Sequence, residues 1–498
     1  MNLQKNIFRL TEYGIRKNLI EEADRTYMIN QFLMAYDEKD FSVSNEEAEK
    51  IKKEDIELAQ LLDALTDEAV SRGMIEGGIT ERDLFDTKLM GILTARPSEI
   101  IAKFQKKYEE SPVEATDYFY AFSQDTNYIR RDRIQKDRSW KADSPYGEID
   151  ITINLSKPEK DPRDIAKAAQ TASANYPKCA LCPENEGYKG HVNHAPRANL
   201  RIIPITLQGE KWGFQYSPYA YFNEHSIVLS YEHRPMAIHK NAFANLLDFV
   251  DIFPEYFIGS NADLPIVGGS ILSHEHYQCG RHTFPMMRAE VELPIEFKGY
   301  ENLSCGKVKW PMPCIRIKGS DREKLLDLAD KILSKWRGYT DEDAYVFAET
   351  DGTPHNTVTP IAYKEKGNYV LDLVLRNNIT TDECPMGLYH PHADKHNIKK
   401  ENIGLIEVMG MAILPARLKS EIEEVEKVIT SGLDPLDNSK TAHHAEWIKE
   451  YGFKPCKNLR EKIFEAVGVT FSKVLLDAGV YKPHQNEAFM RFVNEVNK

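Results

Sequence analysis

Hydrophobic positions in the first part of the chain repeat with the period of an α-helix. Between Asn45 and Gly73 the apolar residues lie three or four positions apart, at Leu58, Leu61, Leu62, Leu65 and Ala69. Ser44 followed by Glu47 has the sequence of a capping box, which predicts a helix start, and Gly73 predicts its end. Residues 1–122 contain no cluster of cysteines or histidines, so we expect a helical scaffold there.

The pattern changes to strict alternation from about residue 147. Ile149, Ile151 and Ile153 alternate with polar residues, which predicts a β-strand. Further strands are predicted at 200–207, 226–230, 264–272, 344–349, 369–376 and 403–408. Helical patterns are found at 241–257, 320–336, 416–429 and 457–478. We therefore expect an α+β middle with helical segments at both ends.

The middle of the chain contains a degenerate internal repeat. His225 opens one β-patterned run, and a His-x-His sequence follows it at 274–276. His355 opens a second run, and another His-x-His sequence follows at 390–392. We predict two similar halves between two helical extensions, with four segments at 1–122, 123–300, 301–415 and 416–498.

Composition and charge narrow the class of protein. The 498 residues are 42% hydrophobic and 28% charged, which is typical of globular proteins. A formal net charge of −13 argues against nucleic acid or an anionic membrane as the main partner. No apolar run approaches the roughly 18 residues of a membrane span, and the first residues lack a signal-peptide pattern. Seven scattered cysteines suit a reducing compartment, so we expect a cytoplasmic protein.

The segment from 268 to 282 is the most informative for chemistry. His274 and His276 would project from the same side of a strand. Such a pair can ligate one metal together. Alternatively, a metal or a hydrogen bond can hold one histidine while its neighbour acts as a nucleophile or base. The third interpretation is a pair of ordinary surface or core histidines. Gly268, Gly269 and Gly280 allow the backbone to approach a ligand closely, and Gln278 adds a neutral donor. These features favour a ligand site over a pair of ordinary histidines.

A Cys-x-x-C motif at Cys179 and Cys182 is the second candidate for chemistry. It is either half of a zinc site or a redox pair. Prolines on both sides predict a loop, and a redox motif would need a helix start there. His233 and His274 can complete a Cys2His2 ligand set. We therefore favour zinc.

Four sequences resemble a known family when they are taken together. They are CALC at 179–182, YFNEHSIVLSYEHRPM at 221–236, GGSILSHEHYQCGRHTFPM at 268–286 and GLYHPHADKH at 387–396. They are similar to the galactose-1-phosphate uridylyltransferases, and specifically to the longer bacterial branch of about 500 residues. That family belongs to the histidine-triad superfamily. The resemblance implies an α+β fold with two histidine-triad-like halves, built from antiparallel sheets with helices.

The resemblance also implies a reaction and roles for individual residues. In that reaction UDP-glucose gives its uridylyl group to a histidine, and galactose 1-phosphate then accepts it. His276 matches the nucleophile, and Gln278 matches the residue that hydrogen-bonds the phosphoryl oxygens. The matched zinc ligands are Cys179, Cys182, His233 and His274. Glu275 and Tyr277 depart from the proline and glycine of the shorter branch. The expected partners are the two small-molecule substrates, and a homodimer is the candidate assembly.

A basic cluster in NYIRRDRIQKDR allows two interpretations. Its arginines either form a solvated face paired with Asp132 and Asp137 or hold phosphate groups. In the family an arginine pair ahead of the first half does the latter. The resemblance therefore makes Arg130 and Arg131 substrate-binding candidates. Backbone amides around 268–270 could donate further hydrogen bonds to the phosphoryl oxygens, which adds Gly269 and Ser270 as candidates.

The second half differs at the position of Gln278. Asp394 stands there, and a carboxylate would repel a phosphate, so we expect only the first half to be catalytic. His355, His390 and His392 would either bind another metal or have packing and hydrogen-bonding roles. The alternative functions are a nucleotide phosphorylase or hydrolase of the same superfamily, and a non-catalytic nucleotide-binding zinc scaffold.

Overall fold

The N-terminal segment is helical, as expected. The computed structural model describes residues 2–155, 175–268 and 271–498. The first helices run over Leu3–Arg16, Arg25–Ala35, Asn45–Ile51, Leu58–Ser71, Ile79–Leu93, Pro97–Glu110, Pro112–Asp125 and Arg131–Ile134. Ser44 caps its helix in the predicted capping box with Glu47. That helix ends at Ile51, however, because the charged stretch that follows offers the core almost no apolar residue.

Ten antiparallel strands form the central sheet. In spatial order they are β3 (Ile203–Leu207), β4 (Glu210–Tyr216), β5 (Ser226–Ser230), β7 (His276–Gly280), β6 (Phe257–Gly259), β13 (Asn356–Glu365), β14 (Asn368–Asn377), β10 (Cys314–Gly319), β9 (Ser304–Val308) and β8 (Val291–Ile295). Five neighbouring strands come from residues 203–280 and the other five from 291–377. The two groups meet where β6 pairs with β13, with Gly259 opposite Ile361. This arrangement is the α+β architecture that the sequence predicts, and the four segment boundaries stay a prediction.

Two smaller sheets complete the strand set of the described residues. One contains β1 (Arg138–Ser144), β2 (Gly147–Ile153) and β15 (Met411–Leu414), with β15 parallel to β2. The other is a hairpin of β11 (Glu349–Thr350) and β12 (Thr353–Pro354). The helix Leu459–Ala478 crosses the first of them closely at Gly468. A Cβ atom at that position would lie 2.2 Å from the Cβ of Ala142, so only glycine allows this contact.

Helices cover both faces of the central sheet. In the middle of the chain they are Lys240–Ile252, Pro285–Arg288, Arg322–Arg337 and Leu405–Val408, and after it Arg417–Ser431, Ala445–Tyr451, Leu459–Ala478 and Asn486–Val496. One hydrophobic core joins the N-terminal helices to a sheet face that includes Tyr277 and Cys279. A second core joins the other face to the C-terminal helices. Within the described ranges no helix combines the length and apolarity needed to cross a bilayer.

Three predicted strands are wrong. The described part of 264–272 contains only bends and turns, because Ile266 and Gly268 have positive φ angles of 75° and 128° that interrupt extended backbone. Residues 403–408 contain the helix Leu405–Val408, which begins where the Glu407 carboxylate accepts the N–H of Gly404 at 3.0 Å. Residues 344–349 follow a short 3-10 turn and contribute only the start of β11.

Candidate active site

The strand β7 carries the chemically important residues on one of its faces. Because side chains alternate along a strand, Tyr277 and Cys279 enter the first core, and His276 and Gln278 face the other way. β5 pairs with β7 on one side and places Ile227 opposite Gln278. His274 comes before the strand begins. The two histidines of this His-x-His sequence consequently have different neighbours and different chemical roles.

His274 joins a cluster with two cysteines and a second histidine. Its Nδ1 lies 3.1 Å from the Sγ of Cys179 and 3.6 Å from that of Cys182. The Nδ1 of His233 lies 3.2 Å from the Sγ of Cys182. All four candidate ligand atoms lie within 4.8 Å of one another. Two thiols and two imidazoles at these spacings fit one tetrahedral zinc ion.

The hydrogen bonds around the cluster leave its ligand atoms available. The Nε2 of His274 donates to the carbonyl oxygen of Ser230 at 2.8 Å, so its Nδ1 keeps the lone pair that a metal needs. The Asn185 side chain donates to the carbonyl oxygens of Cys179 and Cys182, both at 2.8 Å, and holds the loop between them. The four residues predicted as metal ligands are therefore brought together by the fold.

The two thiols of the cluster ionise differently. Burial opposes ionisation of Cys179, but its hydrogen bond with His274 lowers the pKa of this thiol below its usual value. Burial and the neighbouring Cys179 raise the pKa of Cys182 to about 11. Without a metal, burial and the neighbouring thiol therefore oppose formation of a second thiolate in this pair. A bound dication would compensate a second thiolate, which is the usual state of cysteine ligands.

His276 is buried and neutral. Its Nδ1 donates to the carbonyl oxygen of His274 at 2.8 Å, which leaves Nε2 as the nitrogen with the free lone pair. Burial lowers the pKa of His276 to about 4, so the imidazole is uncharged near pH 7. A neutral imidazole with a fixed tautomer is what a nitrogen nucleophile requires.

Gln278 lines a pocket of about 470 Å3 together with residues from 399–407. The other lining residues are Tyr221, Asn261, Gly268, Lys399, Glu401, Asn402, Gly404, Leu405, Ile406, Glu407 and Ile413. Lys399 is buried and forms an ion pair with Glu407. Residues 399–407 therefore bring charged groups from the second half to the pocket that contains Gln278. Gly269 and Ser270, the two backbone candidates next to Gly268, lie outside the described residues.

The two arginines predicted to bind phosphate have different surroundings, because one forms a buried ion pair and the other is half exposed. Arg130 binds the carboxylate of Asp86 through both Nη atoms, at 2.6 and 2.7 Å, and this pair is largely buried. Arg131 is half exposed, with Asp125 3.4 Å away. It lines a second pocket together with Tyr221, which also lines the Gln278 pocket. The cluster's ion pairs are with Asp83, Asp86 and Asp125, carboxylates that the solvated-face interpretation did not name.

The histidines of the second half make hydrogen bonds within the protein. His355 donates through Nδ1 to Asn378 at 2.8 Å. The Nε2 of His390 lies 2.9 Å from Asn402 Oδ1, and that of His392 lies 3.1 Å from the carbonyl oxygen of Leu388. In the parts of the chain that are described, these three do not form a group of metal-ligand type. Their hydrogen-bonding interpretation is therefore the one that the geometry favours.

A second group of metal-ligand type has another explanation. Glu421, His443 and His444 lie close together near the C-terminal helices. The guanidinium of Arg417 already donates to Glu421 Oε2 at 2.6 Å. A metal would have to displace this cation, so we interpret the group as an ion pair with two histidine neighbours.

Sequence reasoning missed two residues of the site. His225 was noticed only as the start of a repeat, yet its Nε2 lies 3.3 Å from the Gln278 side chain. Lys399 carried no signal at all, because an isolated lysine in a charged stretch is normally exposed. The sequence signal that points to His225 is its place at the start of a β-patterned run in the half that contains Gln278.

Comparison with known proteins identifies the family. The N-terminal domain of the galactose-1-phosphate uridyl transferases matches residues 18–235, and their C-terminal domain matches 249–448. The galactose-1-phosphate uridylyltransferase of Clostridium acetobutylicum is 49% identical over 99% of both chains. That of Fusobacterium nucleatum is 47% identical over all of this chain and 99% of its own.

A solved structure gives a much weaker likeness. Yeast Ap4A phosphorylase Apa2 in complex with Ap4A has a TM-score of 0.34 and 10% identity, covering 66% of this chain and 92% of that chain. Two matched domains and near 50% identity over the full length are decisive by themselves. The chain belongs to the galactose-1-phosphate uridylyltransferase family.

Proposed function

We propose that this protein transfers a uridylyl group from UDP-glucose to galactose 1-phosphate, with His276 as its covalent carrier. The products are glucose 1-phosphate and UDP-galactose. The relatives at 47–49% identity carry the name of this activity. The observation that supports the carrier most directly is the hydrogen bond from His276 Nδ1 to the His274 carbonyl oxygen, because it leaves Nε2 free to react.

The first step is attack on UDP-glucose. The lone pair of His276 Nε2 forms a bond to the α-phosphorus, and the bond from that phosphorus to the bridging oxygen breaks. The bridging oxygen leaves with the β-phosphate as glucose 1-phosphate. The Nδ1–H bond to the carbonyl oxygen of His274 stabilises the positive charge that develops on the ring.

The second step reverses the bond changes with a new acceptor. A phosphate oxygen of galactose 1-phosphate attacks the uridylyl phosphorus, and the phosphorus–nitrogen bond breaks. UDP-galactose leaves, and the lone pair returns to Nε2. Because Nε2 of the neutral ring carries no hydrogen, neither step needs a base at His276.

Gln278 is the neutral donor for the α-phosphoryl oxygens. These oxygens carry negative charge in the transition state, and a fixed N–H stabilises it without adding a charge to the free site. Gln278 lies two residues beyond His276 on the same face of β7 and lines the adjoining pocket. Arg131 is the better placed of the two candidate arginines for a phosphate of the substrate, because Arg130 is paired with Asp86.

The second half contributes a wall of the pocket instead of a second catalytic centre. Asp394, which replaces Gln278 in the repeat, is 69% exposed at its side chain and pairs with Lys395 at 2.7 Å. Its carboxylate would oppose a phosphate. Residues 399–407 supply the pocket wall in its place.

Cys179, Cys182, His233 and His274 would hold one zinc ion. A closed four-ligand zinc site stabilises the fold around it and takes no part in bond changes. In this role the zinc ion would hold the 179–182 loop against His274, whose carbonyl oxygen accepts the hydrogen bond that orients His276.

The remaining expectations concern assembly and location. A homodimer, a cytoplasmic location and the lack of nucleic-acid or membrane partners stay predictions. Size-exclusion chromatography with light scattering measures the first directly.

One assay tests the proposed reaction. Purified protein is mixed with UDP-glucose and galactose 1-phosphate, and glucose 1-phosphate and UDP-galactose are followed over time. We expect both products in equal amounts, and an enzyme labelled by UDP-glucose that carries radioactive α-phosphorus. Release of UMP without UDP-galactose would identify a hydrolase and contradict the proposal. Binding of UDP-glucose without any product would identify a non-catalytic scaffold.

A further inference from the structure

His225 has no role in the reaction just described, yet it lies beside Gln278. It precedes β5 and is only 4% exposed. Its Nδ1 lies 2.6 Å from the carbonyl oxygen of Tyr219, and its Nε2 lies 3.3 Å from the Gln278 side chain. The rings of Tyr221 and Phe222 pack on the imidazole with centroid distances of 5.4 and 4.7 Å. One hydrogen bond and two ring contacts therefore hold the His225 ring in one orientation.

The position of the proton on His225 follows from these neighbours. A carbonyl oxygen can only accept, so Nδ1 carries the hydrogen that is donated to Tyr219. Burial lowers the pKa of His225 to about 4, and the ring is therefore neutral near pH 7. Its Nε2 then has a lone pair and needs a donor. The Gln278 amide is the group that faces it.

The direction of the Gln278 amide follows from the same reasoning. The oxygen Oε1 lies nearest to His225, but two acceptors cannot share a hydrogen bond. A half-turn of the amide, whose two ends have almost the same shape, replaces this oxygen with the NH2 group. One N–H then donates to His225. The second N–H of Gln278 remains for a ligand in the pocket.

We propose that His225 is a positioning residue that acts through Gln278. It fixes the amide so that an N–H, and not the amide oxygen, is available to the α-phosphoryl oxygens. Without this acceptor the amide can turn over and bring its oxygen towards the phosphoryl group, where two negative atoms repel. This inference rests on the proposed function, because it assumes that Gln278 contacts the phosphoryl group during uridylyl transfer.

A double-mutant cycle tests the proposal. His225→Phe removes the acceptor but keeps an aromatic ring between Tyr221 and Phe222. In the wild-type background we expect it to lower kcat roughly 10-fold, less than the loss from Gln278→Ala. In the Gln278→Ala background the same substitution should leave kcat unchanged within about 2-fold, because no amide is left to position. An equal loss in both backgrounds would overturn the proposal, since His225 would then act independently of Gln278.

His355→Phe is the matched control. His355 opens the corresponding run of the second half, is also buried, and also hydrogen-bonds through Nδ1. We expect its kcat to stay within about 2-fold of wild type at comparable thermal stability. A loss as large as that of His225→Phe would mean that any buried histidine of this kind matters, which would also contradict the proposal.

A measurement on wild-type protein tests the proposal even if the His225→Phe variant does not fold. Nitrogen NMR of protein labelled in its histidine rings reports which nitrogen of each ring carries the hydrogen. We expect the Nδ1–H tautomer for His225, and an Nε2–H tautomer would overturn the proposal. Failure of the proposed function is distinguishable, because wild-type protein would then give no UDP-galactose whatever the state of His225.

Discussion

Arg234 and Glu275 form a partly buried ion pair that joins the two segments bearing the cluster histidines. The Nε of Arg234 lies 2.5 Å from Glu275 Oε2, and the Glu275 side chain is 5% exposed. Arg234 directly follows His233, and Glu275 stands between His274 and His276. The Tyr277 hydroxyl donates to the other carboxylate oxygen at 2.9 Å. Two members of this network, Glu275 and Tyr277, are the residues that stand where the shorter branch of the family has proline and glycine.

Glu275→Ala should destabilise the protein, because it removes the acceptor of the buried Tyr277 O–H and the carboxylate that faces Arg234 Nε. We expect the free energy of unfolding to fall by about 2–3 kcal/mol, the usual effect of removing a hydrogen-bonded charged group. Urea unfolding followed by fluorescence measures the change.

Glu232→Ala is the matched control for this pair. Glu232 is 74% exposed at its side chain and lies 3.4 Å from the same Arg234. An exposed pair of this kind contributes roughly 0–1 kcal/mol, so the control should unfold almost like wild type. Equal effects of the two substitutions would show that the buried contact adds nothing.

The parts of the site that the sequence predicts are the local ones. The Cys-x-x-C motif brings Cys179 and Cys182 together within one loop, and the spacing of their sulfurs at 3.5 Å agrees with it. The addition of His274, 92 residues after Cys182, follows from the family resemblance and from the fold, and local spacing does not predict it. The partner of Arg130 could not be predicted, because Asp86 lies 44 residues away on another helix. The fold decides such long-range pairs, and a charge pattern contains no information about them.

The strand predictions fail for a related reason. Residues 264–272 and 403–408 are as apolar as true strands, and five residues of 403–408 are buried. Burial alone does not provide a pairing partner, and the positive φ angle of Gly268 ends any extended run in the other stretch. An apolar stretch without alternation therefore does not by itself predict a strand.

His276→Asn should abolish labelling of the enzyme by UDP-glucose that carries radioactive α-phosphorus, because no other nitrogen takes the place of Nε2. His392→Asn is the control from the same position of the second His-x-His sequence. His392 lies beside the Leu388 carbonyl oxygen and Asp477, so its replacement should leave labelling at the wild-type rate. A labelled His276→Asn variant would mean that another residue is the carrier.

Cys182→Ala should lower the zinc content of purified protein from about one equivalent to well below it, because a thiolate ligand is lost. Cys456→Ala is the control, since Cys456 is exposed and lies outside the cluster. Metal analysis after dialysis measures both variants. Wild-type protein with far less than one equivalent would contradict the zinc site itself.

Arg131→Met and Arg130→Met should have different effects. Arg131 is half exposed beside a pocket, so its loss should raise the KM for a phosphate-bearing substrate by about 10-fold, as expected for a charged hydrogen bond. Arg130 forms a buried pair with Asp86, so its loss should lower the free energy of unfolding by about 3–5 kcal/mol. Steady-state kinetics and urea unfolding of both variants separate the two effects. A KM effect confined to Arg130→Met would reverse this assignment.

Gln278→Ala should lower kcat by about 10²–10³-fold, which is the usual effect of removing one neutral donor to a developing oxyanion. The apparent affinity for galactose 1-phosphate should stay nearly unchanged, because the contact strengthens only in the transition state. A large rise in KM at constant kcat would indicate uniform substrate binding instead. Gln278→Asp, which copies Asp394 of the second half, should be slower still, because its negative charge opposes that of the phosphoryl group. If the aspartate variant were as active as the alanine variant, position 278 would not face the phosphate, and the reason for a single catalytic half would be lost.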